Sequence, residues 1–390
     1  MAQIKVPCAV YRGGTSRGIF FCEKDLPADP KQRKWIFLRG IDAFNLAQVD
    51  GLGGGSSHTS KIVVISPSDR KGIDVNYTFV QVGLGKPIAD SAGACGNLLS
   101  AVGPFAVDQG LVKVSSTADS CEVAIWDTNI QKKVVAHVPL KDGLAQVTGD
   151  CMIPGLVLPG ARNHVDILEP GGEKTGNSLP FGGTCPIRTA AKEYTASIID
   201  AITPMVVAHA EDLGATGIES IQEISGNSSL MNELLAIREA TAVKLGWAVT
   251  PEEAAQNCPT SPIVTMVAPP RDYTTTSGVK IAAADVDILA KMLSLGRVHR
   301  TYPVSGMCCI AVSCLLSGTI PNSITQKDSS SGEVLVRLGH PDGVVGIQVR
   351  LHGNSIASVG VDRTARRIMQ GELFIPEQQW RSVKDGLQYY

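Results

Sequence analysis

LLSAVGPFAV (residues 98–107) and MCCIAVSCLL (residues 307–316) are two helix-length runs that are apolar on every side. A helix with no polar stripe has to be surrounded by protein in all directions. Each run follows a loop of small residues, SAGACGN (91–97) before the first and PVSG (303–306) before the second. Cys95 and Met307 are 212 positions apart in a chain of 390. Two similar α+β domains follow, each a curved, barrel-like sheet wrapped around one buried helix. The helices are expected at 95–107 and 306–317, with Pro104 kinking or breaking the first. The plainer alternative is two unrelated buried helices in a large α/β protein.

The rest of the chain supplies the strands. IKVPCAVYR (4–12) alternates like sheet, bends at RGGTSRG (12–18) and returns as IFFC (19–22). DPKQRKWIFLRGI (29–41) reads as a helix capped by Asp29 with Pro30 at its first position. The loop DGLGGGSSHTS (50–60) runs straight into KIVVIS (61–66), a buried strand. In the second half, SSLMNELLAIREATAVKLGW (228–247) reads as a helix capped by Ser228 or Ser229. AADVDILAKMLSLG (283–296) and RTARRIMQG (363–371) also read as helices. The stretch PGGEKTGNSLPFGGT (170–184) is the best domain crossing. The expected division is 1–183, taking in the tail 376–390, and 184–375.

Composition removes several function classes. With 35 basic and 37 acidic residues the net charge is −2, without the basic excess of a nucleic-acid surface. No apolar run is long enough to span a bilayer, and MAQIKVPCAV lacks the form of a signal peptide, so a cytoplasmic protein without membrane attachment is expected. Ten cysteines without one CxxC pair read as reduced thiols rather than a metal or disulfide framework. No Walker A motif and no GxGxxG fingerprint is present.

Cys95 is the cysteine whose setting marks it out. It falls where a buried helix begins, flanked by Gly93 and Gly96, and helix starts favour a thiolate and hold anions. Its bland reading is a packed thiol at a tight turn. Lys61 opens an apolar strand, and partial desolvation there favours the neutral, basic amine. Taken alone it also reads as a strand-edge lysine. RGGTSRG groups Thr15, Ser16 and Arg17 at one bend, where a carboxylate would be well held; an ordinary hairpin turn is the alternative.

RGGTSRGIFF (12–21), SKIVVISPS (60–68), the CGN turn (95–97), AIWDTN (124–129) with AHVP (136–139), VAPPRDY (267–273) and RTARRIMQG occur in this order. Together they resemble the PrpF family of 2-methylaconitate isomerases, with 3-methylitaconate Δ-isomerase and 4-oxalomesaconate tautomerase as similar proteins. The likeness runs nearly end to end. It implies a fold like that of diaminopimelate epimerase, with two pseudo-symmetric domains and the active site in the cleft between them. It implies Lys61 and Cys95 as the catalytic pair. The family usually reads GGTSKG and NCGN, where this chain has Arg17 and Ala94, which leaves the exact acid open.

The implied reaction is allylic proton transfer on a small unsaturated di- or tricarboxylate, without metal or organic cofactor. One group must act as base and another must return the proton. Carboxylate anchors are expected from Thr15, Ser16, Arg17, Ser60, Gly96, Asn97, Ser305 and Gly306. The small acid is the expected partner, and assembly as a homo-oligomer is left open. Two rivals stand beside this reading: a two-base amino-acid racemase or epimerase, and a non-catalytic carboxylate-binding relative. The absence of a second thiol–GN turn disfavours the racemase.

Overall fold

The computed structural model describes residues 3–377 and Trp380, apart from Ala92, Thr260, Leu295, 328–331 and Asn354. The chain divides into two compact units, Met1–Val165 with Arg363–Tyr390, and Asp166–Asp362. Among the described residues no helix is long and apolar enough to cross a membrane.

In the first unit Gln3–Gly13 turns back antiparallel onto Ser16–Cys22, which runs parallel to Lys61–Pro67. That strand pairs antiparallel with Val75–Val82, parallel in turn to Ser120–Asp127, which is antiparallel to Lys132–Lys141. Successive side chains point to opposite faces. Ile19, Phe21, Ile62, Val64, Val80 and Val82 pack with Trp35, Ile36 and Ile41 of the helix Pro30–Ile41. On the other face Tyr11 and Phe20 meet Phe105, with ring centroids 5.5 and 5.4 Å away. Where both faces are covered, as in Ser16–Cys22 and Lys61–Pro67, the strands read as nearly unbroken apolar runs, whereas Ser120–Asp127 and Lys132–Lys141 alternate buried with more exposed residues.

The expected central helix of this unit is two pieces, Gly96–Leu99 and Val102–Asp108. Pro104 is responsible, one turn earlier than its own position. It has no N–H to give to Ser100, and its ring displaces that carbonyl. The ladder therefore restarts at Ala101, whose carbonyl accepts from Phe105 N at 2.9 Å. The pieces touch the first two strands, the last two strands and the C-terminal strand, so the sheet curls around them.

The second unit repeats the same succession. Glu193–Ala201 is antiparallel to Thr203–His209, which is parallel to Ile263–Ala268. That strand is antiparallel to Ile288–Ser294, which is parallel to Glu333–His340, antiparallel in turn to Gly343–His352. Its outer helix is Ser228–Lys244 and its central helix Val304–Ser313, with all ten residues of the latter buried. The central helix ends before 317 because polar groups cap it. Thr319 Oγ1 donates to Ser313 O at 2.6 Å and Asn322 Nδ2 to Cys314 O at 2.8 Å.

Several expectations need correcting. The division falls before the glycine-rich stretch, not after it. Asp200 Oδ2 accepts from Lys174 N, Thr175 N and Thr175 Oγ1, which pins that stretch into the second unit. RTARRIMQG lies in a strand, Ala365–Pro376, which pairs along its length with Gln3–Gly13 and so returns the chain to the first unit. Of the tail 376–390, residues 378–379 and 381–390 lie outside the described residues. The segment read as a helix at 283–296 holds the strand Ile288–Ser294, hydrogen-bonded on both sides. The cap of the 228–244 helix is Asn227, whose Oδ1 accepts from Leu230 N at 3.1 Å.

Asp127 ends one of the inner-facing strands. Its Oδ1 accepts from Asn129 N and Ile130 N, while its buried Oδ2 meets no donor among the described residues. Burial pushes this carboxyl from 3.8 up to about 7. The folded value exceeds the unfolded one, so the group's contribution to stability is intact below pH 4 and is lost as pH rises through 7. The full loss is on the order of 4 kcal/mol. Asp127→Asn keeps the accepting oxygen and cannot ionise. It should raise the melting temperature at pH 8, with the gain over wild type shrinking towards pH 4. A pH-independent difference in thermal melts would contradict this.

Candidate active site

Four segments of the first unit meet at one end of its split helix. The hairpin tip 13–16 lies against the Gly96–Leu99 turn so closely that a Cβ on Gly14 would stand 2.2 Å from Asn97 Oδ1. Gly14 also has φ +49°, so only glycine suits it. Beside it, Asn97 Nδ2 donates to Thr15 Oγ1 at 3.2 Å, and Ser16 is buried. A Cβ on Gly18 would lie 2.8 Å from Leu98 Cδ1 and 2.9 Å from Lys61 O. The start of the lysine strand and the cysteine turn are thus separated by little more than one missing methyl.

The glycine loop is organised by a residue that carries no sequence signal of its own. Gln48, buried and at φ 54°, accepts with Oε1 from Gly54 N, Gly55 N and Ser60 Oγ at 2.8–2.9 Å. Ser60 Oγ also lies 2.7 Å from Ser56 O, so its hydroxyl is directed into the loop. Arg17 N donates to His58 O, and Arg17 Nη2 reaches Leu52 O and Gly53 O at 3.3 and 3.2 Å. The arginine therefore ties the hairpin to the loop.

Both expected catalytic residues depend on the strand Val75–Val82. Its inward residues are Tyr77, Phe79 and Gln81, alternating as a pleated strand requires. Lys61 pairs with Gln81 in register, and Lys61 Nζ donates to Gln81 Oε1 at 2.8 Å. The same ammonium lies 4.8 Å from the centre of the Phe79 ring, so it leans along the strand towards Tyr77. Tyr77 Oη donates to the carbonyl of Cys95 at 3.1 Å. Asn129 fixes the far side: its side chain bonds Phe79 N, Phe79 O and Ser91 O.

Cys95 is the N-cap of the four-residue turn, buried, with its carbonyl also accepting from Leu99 N at 3.0 Å. The amides of Gly96 and Asn97 belong to that first turn, where N–H groups have no partner within the helix. The structure therefore brings Lys61, Cys95, Thr15, Ser16, Arg17, Ser60, Gly96 and Asn97 into one neighbourhood. Ser305 and Gly306 belong to the other unit, in the first turn of its central helix, where Ser305 is buried and Gly306 is hemmed in by Tyr302, Met292 and Met205. Cys308 and Cys309 sit mid-helix and fully buried, and burial pushes the Cys309 thiol well up. Neither occupies the cap position that Cys95 holds; in the second unit that position is Pro303. Sequence reasoning missed Gln81, Tyr77 and Gln48. For the first two, the clue was the alternation in VNYTFVQV (75–82), which places a glutamine on an apolar inward face.

The sequence model of the PrpF protein family matches residues 3–376. A 3-methylitaconate isomerase of Eubacterium barkeri is 36% identical over 96% of this chain and 98% of its own length. A 2-methyl-aconitate isomerase of Shewanella oneidensis is 35% identical over 96% and 98%. A 4-oxalomesaconate tautomerase of Pseudomonas putida is 32% identical over 97% and 99%. The crystal structure of a methylitaconate-delta-isomerase superposes with a TM-score of 0.85 at 34% identity, covering 97% of this chain and 98% of that one. A hydroxyproline epimerase from Agrobacterium vitis, 11% identical, shares the fold with a TM-score of 0.53 over 95% and 93%. The α+β architecture is thus the diaminopimelate-epimerase-like fold that the family resemblance implied, and it agrees with the two buried helices expected from the apolar runs. The chain belongs to the PrpF protein family and, with these relatives, is an isomerase.

Proposed function

We propose that the chain moves a proton allylically on a small unsaturated di- or tricarboxylate of the methylitaconate, methylaconitate or oxalomesaconate type. The observation that carries this reading is the anchored lysine: Lys61 Nζ is held by Gln81 and Phe79 beside the turn that begins at Cys95. A C–H next to a carboxylate and a C=C loses its proton to Lys61. The electron pair spreads into a dienolate, which nearby dipoles must stabilise. The Cys95 thiol protonates the far carbon, leaving a thiolate and an ammonium, and a proton passing from Lys61 to Cys95 directly or through solvent restores both. Thr15, Ser16, Arg17 and the amides of Gly96 and Asn97 are the proposed carboxylate anchors. Ser60 shapes the loop that precedes the lysine. The scheme requires no metal and no organic cofactor. All ten cysteines are free, which suits the reducing cytoplasm as its location.

Lys61→Ala should abolish isomerisation and also stop exchange of the acidic C–H into D₂O, followed by proton NMR. Cys95→Ser should lose turnover yet keep measurable exchange, because abstraction survives and a hydroxyl returns the proton poorly. Losses of about 10²–10⁴-fold are expected for each. The opposite pattern of exchange would reverse the two roles, and full activity in both variants would place the chemistry elsewhere.

The choice of acid is tested with a panel of methylitaconate, 2-methylaconitate, aconitate and oxalomesaconate, assayed by ultraviolet absorbance. One acid should exceed the others by at least tenfold in kcat/KM. A panel with no turnover at all would place the substrate outside these four acids.

A further inference from the structure

Resting on the assignment of Lys61 as base, we infer that Gln81 is its positioning residue, fixing where the amine sits. Lys61 and Gln81 are cross-strand partners, so the two side chains emerge opposite each other on the inward face. The carboxamide cannot turn round. Its Nε2 faces three carbonyls, Ser60 O at 2.9 Å and Ser57 O and Val82 O at 3.3 Å, which leaves Oε1 towards Lys61 Nζ. Those carbonyls include the residue just before the lysine and one in the loop leading to it. One amide thus ties the loop, the strand start and the amine together.

The choice of a neutral partner has a chemical consequence. A carboxylate at this distance would favour the ammonium, which cannot accept a proton. A glutamine oxygen orients the amine without placing a negative charge on it. The Phe79 ring beneath Nζ restricts the amine further without adding a charge. Proximity of this kind matters because a base misplaced by an ångström loses much of its advantage.

The test compares wild type, Gln81→Glu, Gln81→Leu and Lys61→Ala, each checked for folding by thermal melting. In Gln81→Glu the alkaline-going limb of the kcat/KM profile should move to higher pH by more than one unit, with at least a tenfold loss at pH 7. In Gln81→Leu the limb should move to lower pH while kcat falls more than KM rises. Opposite displacements are not what a merely structural role produces. A second readout does not depend on turnover: the pH dependence of acetylation at Lys61 by acetic anhydride, followed by mass spectrometry, should shift in the same two directions. If Lys61→Ala is inactive while both glutamine variants keep the wild-type pH profile and acetylation curve, the role of Gln81 is refuted and the base assignment stands. If Lys61→Ala stays active, it is the base assignment that falls.

Discussion

A helix without a polar side can be packed against nothing but protein, and that constraint organises each unit. The inner helix takes one face of the surrounding strands, and an outer helix covers the other face of some of them. In the first unit this leaves Phe20 against Phe105 and Phe21 against Phe37, neighbours in sequence serving opposite cores. Strands buried on both faces carry few polar residues; some, such as Thr265 and Lys291, are buried in mid-strand, while others stand at strand ends. Lys61 is the first residue of its strand, Gln81 the last but one of its own, and Cys95 caps the helix itself. The proposed chemistry gathers at that end of the unit.

How far this was legible in the sequence depended on the range of the interaction involved. The two apolar runs announced the architecture because burial of a whole helix is written into its own residues. Lys61 and Cys95 stood out for local reasons, a charge opening an apolar strand and a thiol at a glycine-flanked helix start. The pairing of Lys61 with Gln81 did not, since it depends on the register across the intervening turn at 68–74. Nor did Gln48, whose three accepted bonds exist only once the glycine loop has folded around it.

The two helices that became strands teach the same lesson from the other side. Ile288–Ser294 contains Leu, Ala, Lys and Met, all good helix formers, yet it lies between two strands that supply its hydrogen bonds. Arg366, Arg367 and Gln370 have no strong strand preference, but Gln3–Gly13 pairs with them, with one register shift that passes over Ile368. Tertiary pairing outweighs local propensity in both cases. Pro104 acted as its chemistry dictates, and only the location of the break was displaced, to the carbonyl it fails to satisfy.

The repeated frame does not carry repeated chemistry. In matching positions the third strand begins with Lys61 in one unit and Ile263 in the other, and the inner helix is capped by Cys95 in one and Pro303 in the other. A racemase that inverts one carbon needs a proton-handling group on each face of that carbon, and a duplicated frame could offer one from each half. Moving a double bond is a different problem: the proton leaves one carbon and returns to another. Both groups for that task can come from a single half, and the proposed pair, Lys61 and Cys95, does: Tyr77, Phe79 and Gln81 on one strand bear on both residues. The other half is then free of any need to keep an acid or base at its helix start. Its helix start is capped by a proline, and Cys308 and Cys309 are buried in mid-helix.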